Sequence, residues 1–369
     1  MLARGENIYK RKDGRWEGRY PKARKADGSI YYGYIYGRSY RSVREQILEK
    51  KVLHSLENST FQQKFQGTFG TWAIIWLNQL MKDNIKESTY SSYQNKLSLH
   101  ILPVIGNTSL HRVDKKQLEQ LVDQLKDKLS PASIHITFRL VKSCLKAARD
   151  RGYLYINPAE QVSLPKIQKE QVPALNRQQH TKILKESKKS IKGLPVVLAL
   201  ETGMRIGEIS ALRWEDVDFE QEMIHVRRTK QRIFDFASDA TKTKLIETAP
   251  KTKRAKRAIP MTPCLKEQLI CAKSQAISSY VVESHGKSIE PRTISYRFER
   301  IRTKVGILNV GFHALRHTFA TRCVELGISI NTISALLGHA SIKMTLDTYT
   351  YSFLEDQRQA MDKLSVFSS

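Results

Sequence analysis

The chain has 369 residues, too many for one small domain and enough for two or three. Lys and Arg number 62 against 36 Asp and Glu, and the resulting formal charge of +26 calls for a polyanionic partner, because self-repulsion of that size otherwise opposes the compact state. Hydrophobic residues at 40% exclude wholesale disorder, and no apolar run approaches the ~18–20 residues of a membrane span.

The first residues lack the apolar core of a secretion signal. The four cysteines (Cys144, Cys264, Cys271, Cys323) are scattered with no CxxC pair, which reads as reduced thiols in a cytoplasmic protein. Residues 1–66 carry 15 Lys and Arg against 7 Asp and Glu. Two Asp-Gly turn signals, Asp13-Gly14 and Asp27-Gly28, separate three runs of strand formers, which predicts a three-stranded meander. In the second run Arg15, Glu17 and Arg19 share one face and Trp16 and Tyr20 the other. Three short strands bury little alone. A following helix with Val43, Ile47, Leu48, Val52 and Leu56 at helical spacing would cap one face. The other, polar and basic, is then either laid in a DNA groove or simply solvated.

From Phe69 the period becomes helical. Trp72, Ile75, Trp76 and Leu80 begin the first helix; Ser88 precedes a second that stops near Pro103 and Gly106. Asp114 reads as the N-cap of a third carrying Leu118, Leu121, Val122 and Leu125. Ser130-Pro131 opens a fourth with Ile134, Phe138, Val141 and Leu145, ending near Gly152. Four such helices make a bundle, whose outer Lys and Arg either grip phosphates or keep it soluble. Asn157-Pro158 and the stretch from Leu164 to Pro173 read as polar linker. The organisation expected is therefore 1–66, 67–160, a linker over 161–173, and 174–369. The last unit is mostly helical, with strands at Met223–Val226, Leu245–Thr248 and Arg257–Ile259.

Four signatures lie in that last unit. In the segment Glu201–Ile209 (ETGMRIGEI) a Gly ends one helix and Arg205 opens the next. A basic hairpin, Pro250–Arg257, projects lysines from its tip. His313-Ala314-Leu315-Arg316-His317 places His313 and Arg316 on one helix face. Leu336-Leu337-Gly338-His339 is followed ten residues later by Tyr349. On spacing alone Tyr351 rivals Tyr349, Lys253 and Lys256 rival Lys251, and Arg205 is either catalytic or a structural partner of Glu208. His313 and His317 mimic half a zinc site, but the Glu of HExxH is missing.

Taken together, an Arg in TGxRxGE, a Lys on a β-hairpin, HxLRH, LGHxS and a Tyr near the C-terminus resemble the tyrosine recombinases, the integrases of temperate phages and conjugative transposons. The resemblance implies a mainly α multidomain fold. It comprises a small sheet-plus-helix domain on distal arm DNA, a helical core-DNA-binding domain and a mixed, mostly helical catalytic domain. It implies an integrase, and with it excision, of a mobile element, acting on double-stranded DNA as a homotetramer with DNA-bending accessory proteins. It selects Tyr349 as nucleophile and Lys251 on the hairpin.

Chemistry supports the assignment. Charge building on the non-bridging oxygens of an attacked phosphodiester is stabilised by planar guanidiniums, here Arg205 and Arg316. A phenol with pKa near ~10 needs a base, for which His313 is the candidate, with His339 donating to the phosphate. Lys251 would protonate the leaving 5′-oxygen. A 3′-phosphotyrosyl intermediate retains the bond energy, so no metal or nucleotide is expected, and the chain has no GxxxxGK[ST] loop. The tail beyond Tyr349, with Phe353, Leu354, Ala360, Met361 and Leu364, is expected to dock on a neighbouring protomer or on its own domain. A type IB topoisomerase shares this chemistry, and a non-catalytic DNA-binding regulator would share the charge. The N-terminal sheet module and long C-terminal tail favour recombination, because relaxation needs neither a second DNA site nor partner subunits.

Overall fold

The chain reverses at Asp13-Gly14 between β1 (Ile8–Lys10) and β2 (Trp16–Arg24), and β2 pairs antiparallel with β3 (Ile30–Gly37) in the order β1-β2-β3. The computed structural model describes residues 7–24, 30–57, 65–167, 174–236, 242–250, 253–339 and 341. The turn expected at Asp27-Gly28, Lys251, Tyr349, Tyr351 and the tail from residue 342 lie outside the described residues. The chain divides into two units, 1–168 and 169–369.

Side-chain alternation decides which face of the small sheet is covered. Gly18 pairs with Ile35, and α1 (Tyr40–Glu57) lays buried Val43 and Ile47 directly over Gly18. On the opposite face Glu17 pairs with Tyr36 and Arg19 with Tyr34, and both tyrosines remain about half exposed. Arg19 lies over the Tyr32 ring at 4.2 Å and Arg11 over Tyr36 at 5.5 Å, so the open face is aromatic as well as basic.

The rest of the first unit is helical: α2 (Phe69–Ile75), α3 (Glu87–Lys96), α4 (Leu102–Ile105), α5 (Lys115–Lys126) and α6 (Pro131–Asp150). Asp114 and Gln117 form the reciprocal cap that starts α5, and Ser130 caps α6 with Pro131 in its first turn. One detail differs from expectation: Lys86 rather than Ser88 sits before α3. The run that begins at α3 stops at Ile105 before Gly106, as expected, with Pro103 in the first turn of α4 where no N–H is needed from it. Trp72, Trp76, Phe69, Leu118, Leu121 and Leu145 fill the core, and Trp72 Nε1 donates to the Cys144 carbonyl at 3.0 Å. Asn157 and Ala159 are buried, and Val162 and Leu164 pack on the same core, so the stretch read as linker is apolar and packed at its start.

The second unit begins with α7 (Arg177–Ser187), α8 (Leu194–Thr202) and α9 (Ile206–Ser210). The strands β4 (Val217–Asp218), β5 (Met223–Val226), β6 (Thr229–Phe234), β7 (Thr243–Thr248) and β8 (Arg257–Pro260) follow. Then come α10 (Pro263–Ser274), the pair β9 (Glu283–Ser284) and β10 (Lys287–Ser288), α11 (Pro291–Lys304), α12 (His313–Glu325) and α13 (Ile330–Leu337). α8 is buried along nearly its whole length and packs against α12, which makes it the axis of this core. No described helix is long and apolar enough to cross a membrane.

One expectation needs correcting. Residues 250–257 do not form a hairpin: β7 pairs with β6, and β8 pairs with β5. Val226 faces Arg257 while Thr229 faces Thr248, so the ribbon breaks at Arg227 and Arg228. Asp235 N bonds Lys242 O at 3.0 Å and closes the end of that ribbon. The strands on either side of the basic segment thus pair with different partners, because the unforeseen β6 claims β7.

Candidate active site

α8 ends at Gly203, in the left-handed conformation (φ 63°), and Arg205 stands immediately before α9. Arg205 Nη1 donates to Glu208 Oε1 at 2.9 Å and its backbone N–H to Oε2 at 2.9 Å. Its side chain is 37% exposed whereas that of Glu208 is 4% exposed, so the carboxylate anchors a guanidinium that still reaches solvent. Both readings of Arg205 hold geometrically: it pairs with Glu208 and also presents an open cation. Gly207 carries α9 against β6, where an added Cβ would lie 2.7 Å from the Lys230 carbonyl oxygen.

Arg316, on α12, is buried. Its Nη1 donates to the Gly203 carbonyl at 2.7 Å and its Nη2 to the Leu337 carbonyl at 2.8 Å. One planar guanidinium thereby ties the α8–α9 turn to the end of α13. Gly338, left-handed at φ 64°, terminates α13, and His339 follows with its N–H on the Ser334 carbonyl at 3.1 Å. A Cβ at Gly338 would stand 3.0 Å from Arg257 Cδ.

The histidines sit in this field of cations. His313 opens α12, and its ring meets that of His317 edge to face at 4.7 Å. The pKa of His313 is lowered by the packing of its ring and then by Arg316 and Arg205. Burial, with Arg316, Arg205 and Arg257 adding, brings His339 down to about 4; burial, with His313 and Arg316, brings His317 to about 4. All three rings are therefore neutral at pH 7. Arg205, His313, Arg316 and His339 are brought together, whereas Lys251 and Tyr349 lie outside the described residues.

One residue escaped the sequence reading. Arg257, with a side chain 5% exposed, holds Glu208 through Nη2 to Oε2 at 2.9 Å and Nη1 to Oε1 at 3.2 Å, and its Nε donates to the Leu336 carbonyl at 2.5 Å. It stood among five basic residues between 251 and 257, and nothing local set it apart. Its alternation with inward Ile259 on β8 was the one available hint.

A second ionic cluster surrounds β6 and β7. Glu247 on β7 accepts from Arg213 at 2.9 Å and from the Tyr280 hydroxyl at 3.3 Å, and lies 3.4 Å from Lys230 Nζ. The Lys230 ammonium also sits 4.4 Å over the Tyr280 ring. Buried Asp216 holds Arg228 at 2.7 Å and Arg227 at 3.4 Å.

What the site can do follows from these charges. Two guanidiniums share one carboxylate at the Arg205 end, so a positive excess remains there for an anion. Neutral imidazoles beside it can take or share a proton at pH 7.

Comparison with known proteins gives the family and the fold. Residues 165–355 match the phage integrase family, and residues 68–126 match the phage integrase N-terminal SAM-like domain. The chain is 25% identical over 371 residues to a tyrosine recombinase XerC-like protein of Caldanaerobacter subterraneus subsp. tengcongensis, covering 93% of each chain. It is 33% identical over 218 residues to tyrosine recombinase XerA of Saccharolobus solfataricus, covering 58% of this chain and 64% of that one. In fold it is similar to the Tn1549 transposon integrase solved with circular intermediate DNA, at a TM-score of 0.70 and 20% identity over 81% of this chain and 99% of that one. It is also similar to lambda integrase, solved as a tetramer bound to a Holliday junction, at a TM-score of 0.61 and 21% identity over 93% and 94% of the two chains.

Proposed function

We propose a mechanism and a biological role from one premise: the chain belongs to the phage integrase family and is a tyrosine-type site-specific DNA recombinase. The role is integration and excision of a mobile element. The observation that carries the mechanism is the bond from Arg316 to the carbonyl of Gly203, which registers a second guanidinium against Arg205 beside two neutral histidines.

Arg205 and Arg316 bind the non-bridging oxygens of the scissile phosphate, and His339 donates a further hydrogen bond to them. Tyr349 attacks phosphorus while His313 takes its proton. The 5′-oxygen leaves with a proton from Lys251, and the 3′-phosphate stays on the tyrosine. A second 5′-hydroxyl then reverses the step and rejoins a different pair of strands. Residues 1–66 hold arm sites through the aromatic and basic face of the small sheet, residues 67–160 and 174–369 hold the core site, and 161–173 connect them. Four protomers act together, with the tail beyond Tyr349 seated on a neighbour, as fits a relative solved as a tetramer on a Holliday junction.

The test is a nicked suicide duplex carrying a candidate attachment site. The wild-type chain is expected to form a covalent protein–DNA adduct and Tyr349→Phe none. Absence of any wild-type adduct would leave only a DNA-binding regulator. Relaxation of a supercoiled circle without strand exchange between paired sites would instead favour a topoisomerase. Truncation after Leu354 should abolish tetrameric synapsis; if synapsis survives, the tail docks on its own domain.

A further inference from the structure

The triad Arg205–Glu208–Arg257 holds two guanidiniums on one carboxylate, and these contacts are arranged unequally. Glu208 receives two side-chain hydrogen bonds from Arg257, at 2.9 and 3.2 Å, against one side-chain and one backbone bond from the Arg205 residue. Arg257 is nearly enclosed, while the side chain of Arg205 is 37% exposed. Burial opposes ionisation of Glu208 most strongly, yet its pKa ends below the ordinary carboxylate range, through Arg257 first and Arg205 after it. Without Arg257, Glu208 would cancel the charge of Arg205 one for one, and a neutral pair attracts a phosphate poorly.

Arg257 also touches the His339 end of the site. Its Nε bond to the Leu336 carbonyl lies one residue from the Leu337 carbonyl that Arg316 uses, and both precede the turn at Gly338 that presents His339. Arg257 is the first residue of β8 and pairs with Val226.

We propose that Arg257 is a positioning residue for strand cleavage: by neutralising Glu208 it leaves the charge of Arg205 available to the scissile phosphate, and by holding the Leu336 carbonyl it registers His339 against that charge. This rests on the phosphotyrosyl reading above. Arg257 itself touches no reacting atom. The effect passes through Glu208 and the end of α13.

The experiment compares Arg257→Gln, Arg257→Lys and the double variant Arg257→Gln/Glu208→Gln with the wild type in the full-length chain. Single-turnover adduct formation is measured on two nicked duplexes, one with an ordinary scissile phosphate and one with a neutral methylphosphonate there. On the phosphate, Arg257→Gln should slow cleavage on the order of 10²-fold, as loss of a charge-stabilising donor does. On the methylphosphonate, which needs less positive charge, the loss should shrink to within about tenfold. Glu208→Gln in the same chain should restore at least about tenfold on the phosphate, and Arg257→Lys, which keeps the cation but not the bond to the Leu336 carbonyl, should fall between Arg257→Gln and wild type. In parallel, inorganic orthovanadate is titrated into each variant while the histidine ring signals are followed by NMR. Arg257→Gln should weaken its binding on the order of tenfold, and the double variant should recover it.

An equal loss on both linkages with no rescue by Glu208→Gln would make Arg257 a structural residue only and overturn the proposal. Should Arg257→Gln fail to fold, Arg257→Lys decides on both substrates: a phosphate-specific loss as deep as that of Arg205→Ala refutes charge retention as the role. If no variant, wild type included, forms an adduct, the phosphotyrosyl reading falls, and the vanadate affinities still decide the part played by Arg257.

Discussion

Arg316 Nη1 donates to the carbonyl oxygen of Gly203 at 2.7 Å, joining residues 113 positions apart in the chain. Gly203 lies two residues before Arg205, so one arginine holds the turn that carries the other. Two cations that would repel in a flexible site are held in register by a neutral carbonyl and a buried fork.

That relationship predicts an asymmetric outcome for Arg316→Lys. A lysine keeps the charge but cannot span the carbonyls of Gly203 and Leu337 together. One buried carbonyl is left without its partner, at about 1–3 kcal/mol of folding stability. Cleavage of a nicked duplex should fall on the order of 10²–10³-fold, beyond what lost stability explains. Chemical denaturation and single-turnover cleavage on the same preparation separate the two effects.

The turn after α13 can be probed by comparing two glycines. Gly338 and Gly286 both have positive φ, 64° and 74°, but an added Cβ meets Arg257 Cδ at 3.0 Å at Gly338 and nothing within 4 Å at Gly286. Alanine at either site should cost about 1–2 kcal/mol for the left-handed backbone. Only Gly338→Ala should also slow adduct formation, because it pushes Arg257 and the segment bearing His339. Equal rates for the two variants would show that the close approach has no bearing on catalysis.

The three histidines give a pH dependence of definite sign. Arg316, Arg205, Arg257 and His317 face His339; His313 and Arg316 face His317; Arg316 and Arg205 face His313. In the unfolded chain these rings protonate near ~6.5. In the fold His317 and His339 do so only at about 4. The unfolded state therefore takes up protons that the native state refuses, so stability is complete above pH 6.5 and declines as pH falls toward 4. Urea midpoints should be flat from pH 8 to 6.5 and decrease below it, and His317→Gln should reduce the slope. Cleavage should keep its rate down to pH 6.5, since a neutral His313 is what the base requires.

Thiol reactivity offers an independent check on packing. Cys271 is exposed, whereas Cys144 and Cys323 are buried, and burial pushes the Cys323 thiol up to about 11 and that of Cys144 higher still. A maleimide should modify Cys271 fastest in the native protein and Cys144 only on unfolding. Rapid native labelling of Cys144, whose carbonyl accepts from Trp72, would contradict the core of the helical bundle.

Much of the fold was legible because the interactions that start and stop elements are short in sequence. Asp114 and Gln117 cap α5 across three residues, Ser130-Pro131 opens α6, and the alternation over Met223–Val226 matches β5 residue for residue. The groups at the cationic site were legible too: Arg205, His313, Arg316 and His339 all stand at helix ends or on one helix turn, where local motif and local geometry coincide.

Strand partnership was not legible. Residues 250–257 read as a hairpin, yet β7 joins β6 and β8 joins β5, and any two β-forming runs satisfy the same local pattern. Arg257 shows the limit most clearly. Its charge, its strand and its neighbours were all in the sequence, but Glu208 and the Leu336 carbonyl lie 49 and 79 positions away. Periodicity and capping speak for contacts within a turn or two of chain. Which of five basic residues is drawn inward to a carboxylate depends on how β8, α9 and α13 pack, because only a dry, enclosed contact makes one cation differ from the next.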